Sequence, residues 1–552
     1  MKKVILFLMM LFVAGIAQTG ARYLIITHDD FYNAIQPLAQ WKHKKGVKTQ
    51  VVKLSQIGST ADAIRNYVVN AYNTWDIKPE YLLLVGAPNY IPYPSVSGTV
   101  SDNYYTNMDG DIFNEILSGR LTVHNTTEAQ TVVNKVLAYE RTPYMIDSMW
   151  LIRTVGIVRM DYYPPDDSIY WSDIHQMKHY MLGAGYDLVD TLSNLYGDDK
   201  YDVIDKVNLG RSFVLYRGQG VNNWWSPFDV NPDNTANGPK LPIVLSITCS
   251  TIGTGSSPAT AEKWLLTGSP TQLRGGAGYF ATTTVLSSGA HLRSAVSQGF
   301  FDAIFRGGKK TFGEACEGGR TRVYAMYNSS SEYRGFNTLG DPEMNIWTAI
   351  PGHLDVTYPD TIVIGSQNFI VNVIHDGNPV NGAIVCLVKS NEIYAVDTTD
   401  ASGAANMTIN PTYAGIMDVT VTGTNYLPFE GTCEVIGGLP EVTVTVDPDT
   451  TIIPQGGQLG YTVYVTNNTS SAVTFQLWTE LFLPNGRPYN GNPLVGPVQV
   501  TLQPGVSRNR HFNFNIPLIA PLGIYTLYGR IGSYPNSVWD EDFFYFTVVT
   551  AD

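Results

Sequence analysis

The feature that most constrains this chain is a change of hydrophobic period near Pro351. Before it, apolar runs alternate with amphipathic stretches of helical length; after it, the helical period disappears. Residues 22–27 read as a buried strand, 31–45 as a helix stopped at Gly46, 49–53 as a strand, 60–72 as a helix, and Tyr81-Leu-Leu-Leu-Val85 as a strand running into Gly86. Thr127 is placed to cap a helix over 128–140, ahead of Pro143. A second series follows, with strands at 154–160, 213–216, 243–248 and 278–282 and helices at 172–182 and 261–266. Strands apolar throughout, separated by helices of about 10–15 residues, indicate a mostly parallel sheet covered on both faces. Residues 22–347 are therefore expected to form an α/β domain in two βα halves, about 22–145 and 146–347.

Beyond Pro351, short strands such as Asn368-Phe-Ile-Val-Asn-Val-Ile374 recur about every ten residues between Gly, Pro and Asn turns, the signature of a β-sandwich. The pattern restarts at Glu441-Val-Thr-Val-Thr-Val446, so Gly437-Gly438-Leu439-Pro440 marks a boundary between sandwiches at 352–437 and 440–552. With 51 Gly, 31 Pro and 12% aromatic residues, the composition suits a chain so rich in strands and turns. Trp478 and the many tyrosines raise carbohydrate binding as one expectation for this half, beside the plainer one that they are core or strand-pair residues.

Lys2 and Lys3, an apolar run from Val4 to Ala14 and small residues around Gly15-Ile16-Ala17 make a signal peptide, 1–17, with cleavage as late as residue 21. The run is shorter than the roughly 20 residues a membrane helix needs. An extracytoplasmic protein is expected, secreted or at the cell surface. A balance of 35 basic against 48 acidic residues, net −13, argues against nucleic acid as a partner. In an exported protein Cys386 and Cys433 are candidates for a disulfide; the other reading makes them small buried hydrophobes.

Ligands of open α/β sheets bind beyond the carboxyl ends of the strands. Three such ends carry chemistry here: Asp161 after strand 154–160, Arg217-Gly218-Gln219-Gly220 after 213–216, and Cys249 in Ser246-Ile-Thr-Cys-Ser-Thr-Ile-Gly-Thr-Gly255 after 243–248. A Cys at a strand end before a small-residue loop is well placed as an exposed nucleophile, with its own N–H and that of Gly220 as oxyanion donors.

Several motifs in order resemble the gingipain-like cysteine peptidases: Pro37-Leu-Ala-Gln-Trp-Lys42, Tyr81-Leu-Leu-Leu-Val-Gly86, Ser101-Asp-Asn-Tyr-Tyr105, Asp109-Gly-Asp-Ile-Phe-Asn-Glu-Ile-Leu-Ser-Gly-Arg120, Tyr139-Glu140 before Pro143, and Leu339-Gly-Asp-Pro342. The resemblance implies a caspase-like fold followed by immunoglobulin-like domains, Cys249 as nucleophile and Asp161 as the catalytic acid residue. It also implies a histidine in a Gly-His-Gly turn, where this chain has Gly218-Gln219-Gly220. Gln has no titratable nitrogen, so it neither takes the thiol proton nor protonates a leaving amine.

His291, in the loop after strand 278–282, is the candidate replacement base, the other reading being a partly exposed loop residue. His175 and His179, at i and i+4 on a predicted helix, have metal-binding spacing but no third ligand in view. Asp173 falls where arginine-cleaving relatives carry an acidic residue in the substrate pocket; as a helix-start residue it would instead complement the dipole. Asp102, Asp109 and Asp111 are candidates for a structural calcium site, or Asp-Gly turns; no cofactor is required for the chemistry. No pro-segment of the kind usual in the family is expected, since the α/β pattern starts directly after the signal. The expectation is a secreted cysteine endopeptidase acting on peptides or proteins. The alternative is an inactive relative that binds peptides or attaches to the cell surface through its sandwiches.

Overall fold

A computed structural model of the chain describes residues 19–437 and 441–551. The expected signal peptide and part of the 437–440 boundary lie outside the described residues. Ten strands form one mixed sheet: β1 (Tyr23–Thr27), β2 (Thr49–Lys53), β3 (Tyr81–Val85), β4 (Leu117–Leu121), β5 (Arg153–Val158), β6 (Leu188–Ser193), β7 (Phe213–Arg217), β8 (Ile243–Ile247), β9 (Gly278–Thr282) and β10 (Phe336–Leu339). Their order is β2-β1-β3-β4-β10-β9-β8-β7-β5-β6. All pair in parallel except β9 with β10. The two expected halves thus share a single sheet, joined where β10 runs antiparallel to β9 and touches β4 through Leu339 and Arg120.

The central strands are buried at every position because helices cover both faces. The main ones are α1 (Tyr32–Lys44), α2 (Ala61–Thr74), α3 (Thr126–Glu140), α4 (Pro164–Gly183), α5 (Lys200–Leu209), α6 (Ala290–Phe305) and α7 (Phe312–Tyr327). Two helix starts differ from expectation. Asn125, not Thr127, caps α3, its side chain accepting the N–H of Glu128. Helix α4 begins eight residues before the expected Ser172, because Pro164 and Pro165 occupy its first positions, where a proline has no N–H to lose, and Asp166 and Asp167 follow in its positive first turn.

Two compact units divide the chain. The first holds the ten-stranded sheet together with a pair of β-sheets reaching Glu434. Within it, Arg141 pairs with Glu430 at 2.6 Å and Lys44 with Asp418 at 2.9 Å, binding helix ends of the α/β part to strands of the β part. Cys386 lies on Ile384–Lys389 and Cys433 on Tyr426–Ile436, with Gly415–Gly423 between them in the sheet. Two strand spacings make about 9–10 Å, beyond the roughly 7 Å limit of a disulfide; both thiols are free. The second unit pairs a three-stranded with a five-stranded sheet around one core, from Val442 to Val548. Trp478, 2% exposed, is covered and set against Tyr534, which removes it as a sugar platform. Among the described residues no helix is long and apolar enough to cross a membrane.

Candidate active site

Strands β5, β7 and β8 are neighbours with their carboxyl ends at one edge, so Asp161, Gln219 and Cys249 leave the sheet side by side. The Gln219 turn depends on Gly218, whose φ of +150° lies in the region that favours glycine and whose Cβ would sit 2.6 Å from that of Arg159. Thr248 Oγ1 donates to Gly218 O at 2.8 Å and Asn222 N to Ser250 O at 2.7 Å, cross-bracing the Gln219 and Cys249 loops. Beneath them Tyr216 stacks on Trp224 at 4.6 Å and donates its hydroxyl to Gln219 O at 2.6 Å. Further along the Cys249 loop, buried Glu262 accepts the N–H groups of Gly253 (2.8 Å) and Ala259 (3.2 Å). Gly220 lies beside Thr248, its bare Cα leaving the space a Cβ would take 3.2 Å from the Thr248 methyl.

Asp161 is ion-paired with Arg159 and accepts the Tyr170 hydroxyl at 3.2 Å. Burial holds its carboxyl above the ordinary value, against the opposing pull of Arg159 and of the Tyr170 hydroxyl. Cys249, 4% exposed, is engaged elsewhere: its Sγ accepts from Arg293 Nη1 at 3.0 Å and lies 3.6 Å from Leu286 O. Arg293 is in turn ion-paired with buried Glu332 at 3.2 Å.

Asp173 is not at a helix start but in the middle of α4, with its side chain fully buried. Its carboxylate is already taken by Arg217 (2.6 Å), Ser294 (2.5 Å) and Gln298 (3.2 Å), so it offers no free anion to a substrate guanidinium. His291 is in the first turn of α6 rather than a loop, exposed, with its ring edge-on to Tyr327. His175 and His179 are exposed on α4, and among the described residues no carboxylate or thiol joins them in a metal-ligand cluster. Asp102 is buried against Arg120, with contacts at 2.6 and 3.0 Å, and so stands apart from Asp109 and Asp111. Those two instead converge with Glu115, their ligand atoms within 4.8 Å of one another.

Sequence reasoning missed Arg293 and Glu332. The one local signal was an arginine on a helix whose next residues, Ala295, Val296, Phe300 and Phe301, are apolar and buried.

The profile of peptidase family C25 matches residues 16–347. Gingipain R2 of Porphyromonas gingivalis is 25% identical over 435 residues, covering 74% of this chain and 58% of its own length. Lys-gingipain of the same organism is 24% identical over 453 residues, 74% of this chain and 25% of its own. The chain thus spans less than two thirds of these relatives. The crystal structure of the Arg-specific cysteine proteinase gingipain R aligns with a TM-score of 0.66 at 22% identity, over 75% of this chain and 98% of that one. That likeness concerns the fold.

Proposed function

The chain belongs to peptidase family C25, and on that premise we propose that Cys249 is its nucleophile, that peptides or proteins are its ligands, and that amide hydrolysis is held back at Gln219. The observation that carries this reading is the composition of the crevice. Gln219, a group that cannot exchange a proton, stands at the middle of three neighbouring strand ends, between Asp161 on one side and the Cys249 thiol on the other.

Attack by Cys249 Sγ on a peptide carbonyl forms a C–S bond, and the C–N bond breaks only if the departing amine takes up a proton. Water then cleaves the thioester. Gln219 can donate a hydrogen bond but not that proton, and general acid–base help is typically worth about 10²–10⁴-fold. An alkoxide or thiolate departs with far less assistance, so esters and thioesters remain substrates. The competing reading is an unimpaired endopeptidase with another base. His291, edge-on to Tyr327, offers it no support.

The finer architecture goes with the same reading: caspase-like halves, immunoglobulin-like sandwiches, export and attachment at the cell surface through the β-domains. Calcium suits Asp109, Asp111 and Glu115, whose oxygens are the hard donors it prefers. Its role there would be to hold the 109–115 turn, and Asp102 does not take part.

Wild type, Cys249→Ala and Gln219→His are compared on Arg- and Lys-containing peptide esters and amides under reducing conditions. Wild type should cleave esters and barely cleave amides, and Gln219→His should raise amide cleavage by about 10²–10⁴-fold. Brisk amide cleavage by wild type that vanishes in Cys249→Ala would establish the unimpaired enzyme instead. Cleavage indifferent to Cys249→Ala would remove the nucleophile.

A further inference from the structure

The cation closest to Cys249 is fixed from several sides. Arg293, 5% exposed, donates Nη1 to the sulfur at 3.0 Å and Nε to Glu332 Oε2 at 3.2 Å. Glu332 is fully buried and also accepts the hydroxyl of Thr284. The loop before α6 presses on the guanidinium: a Cβ at Gly289 would lie 3.3 Å from Arg293 Cζ. One donor is left over, since Nη2 is buried without a hydrogen-bond partner. Leaving such a group unpaired is costly, so its position calls for an acceptor. With Gln219, Leu286 and Ser287, Arg293 lines a cavity of about 10 Å³, about the room one water-sized oxygen needs.

A guanidinium keeps its charge at any pH a protein survives, and a hydrogen bond from it favours the anionic form of its acceptor. Glu332 offsets part of that charge but occupies the Nε side, leaving Nη1 on the sulfur. The other charged groups around the crevice are Arg217, engaged by Asp173, Asp166 at the start of α4, and the ion pair of Asp161 with Arg159.

We infer that Arg293 is a catalytic residue of this site: with Nη1 fixed on the Cys249 sulfur, it receives through Nη2 an oxygen of the carbonyl or carboxylate ligand brought against that sulfur. The inference rests on the reading of Cys249 as nucleophile. It describes a site with a fixed cation and no proton donor, suited to acyl transfer from activated carbonyls and to alkylation.

The test is alkylation of the full chain by iodoacetate and iodoacetamide across pH, with the modified cysteine identified by peptide mass. In each case a C–S bond replaces the C–I bond and iodide leaves with the electron pair. In wild type Cys249 should react with iodoacetate at least about tenfold faster than in Arg293→Met, because the carboxylate is received by the guanidinium beside the sulfur. The ratio of iodoacetate to iodoacetamide rates should also fall several-fold in Arg293→Met, because the carboxylate loses Nη2. Arg293→Lys, which keeps the charge without the fork, should retain part of the neutral-pH rate and lose the carboxylate preference. Equal Cys249 rates and ratios in wild type and Arg293→Met would overturn the role of Arg293 and leave the nucleophile standing. A Cys249 that reacts only after unfolding would overturn both.

Discussion

Arg217 Nε and Asp173 Oδ2 meet at 2.6 Å in an ion pair whose side chains are at most 1% exposed. The guanidinium also donates to Ile247 O (2.7 Å) and Ala290 O (2.9 Å) and lies over the Tyr170 ring, so the acidic position is filled by an arginine of the chain itself. A buried pair is only weakly stabilising as a whole, but removing one partner strands the other charge. Arg217→Met and Asp173→Asn should each destabilise the first unit by about 3–5 kcal/mol. Arg217→Met combined with Asp173→Leu should recover most of that loss in thermal or urea unfolding. A double variant as unstable as the sum of the singles would contradict this.

Acid sensitivity should be concentrated at α1. Lys42 Nζ is within 2.6 Å of Glu140, 2.5 Å of Asp341 and 2.7 Å of Glu343, and Lys45 Nζ within 2.5 Å of Glu140 and 2.7 Å of Glu343. Burial opposes the ionised form of Glu140, but the two lysines outweigh it and hold that carboxyl below its ordinary value of 4.5. A depressed folded-state pKa gives stability that is present above the unfolded value and lost as pH falls through the folded one. Glu343 is displaced upward, burial prevailing over the same lysines, so its ionisation opposes folding as pH rises. Glu140→Gln should therefore melt well below wild type near neutral pH, by about 3–5 kcal/mol, with the gap narrowing below about pH 4.5. Glu343→Gln should lose less at neutral pH. Melting temperatures of the three proteins followed into acid decide the matter.

What the sequence disclosed was what local periodicity encodes. Tyr81–Val85 was legible to the residue because a strand covered on both faces must be apolar throughout, and the three strand ends converge because parallel strands put their carboxyl termini on one edge. The helix starts at Pro164-Pro165, a first-turn signal, eight residues before the expected Ser172, which puts Asp173 in the helix interior rather than at its start. Antiparallel β10 left no mark, since nothing local distinguishes its direction from that of β9. Arg293 was illegible for a different reason: its partners Glu332 and Cys249 stand 39 and 44 residues away, and no spacing rule links them.

Cysteine chemistry offers a simple check on the β-rich part of the first unit. Cys386 and Cys433 are separated by an intervening strand, and burial pushes their thiols up to about 12 and about 11. They should be inert in the folded protein and reduced. Denaturation followed by alkylation without reductant should modify all four cysteines of the chain, and reductant should leave the melting temperature unchanged. A mass lower by two hydrogens and resistant to alkylation would show a disulfide and a different register of these strands.

Trp478 tests whether the aromatic residues of the second unit serve packing or binding. It lies on Val473–Phe482 next to inward-facing Leu477 and Thr479, so the pleat turns its indole to the other side of the sheet. It is nevertheless 2% exposed, with the Tyr534 ring 5.3 Å away at 74°. Burial on what would be the outer face means that a loop has closed over it, a structural use of the indole. Trp478→Ala should lower the stability of this unit by about 3 kcal/mol or more, visible as earlier cleavage in heated limited proteolysis. Tyr534→Ala should reproduce part of the loss because it uncovers the same ring. Glycan arrays probed with wild type and Trp478→Ala should look alike; a sugar signal that disappears with Trp478 while the melting temperature holds would return the residue to a binding role.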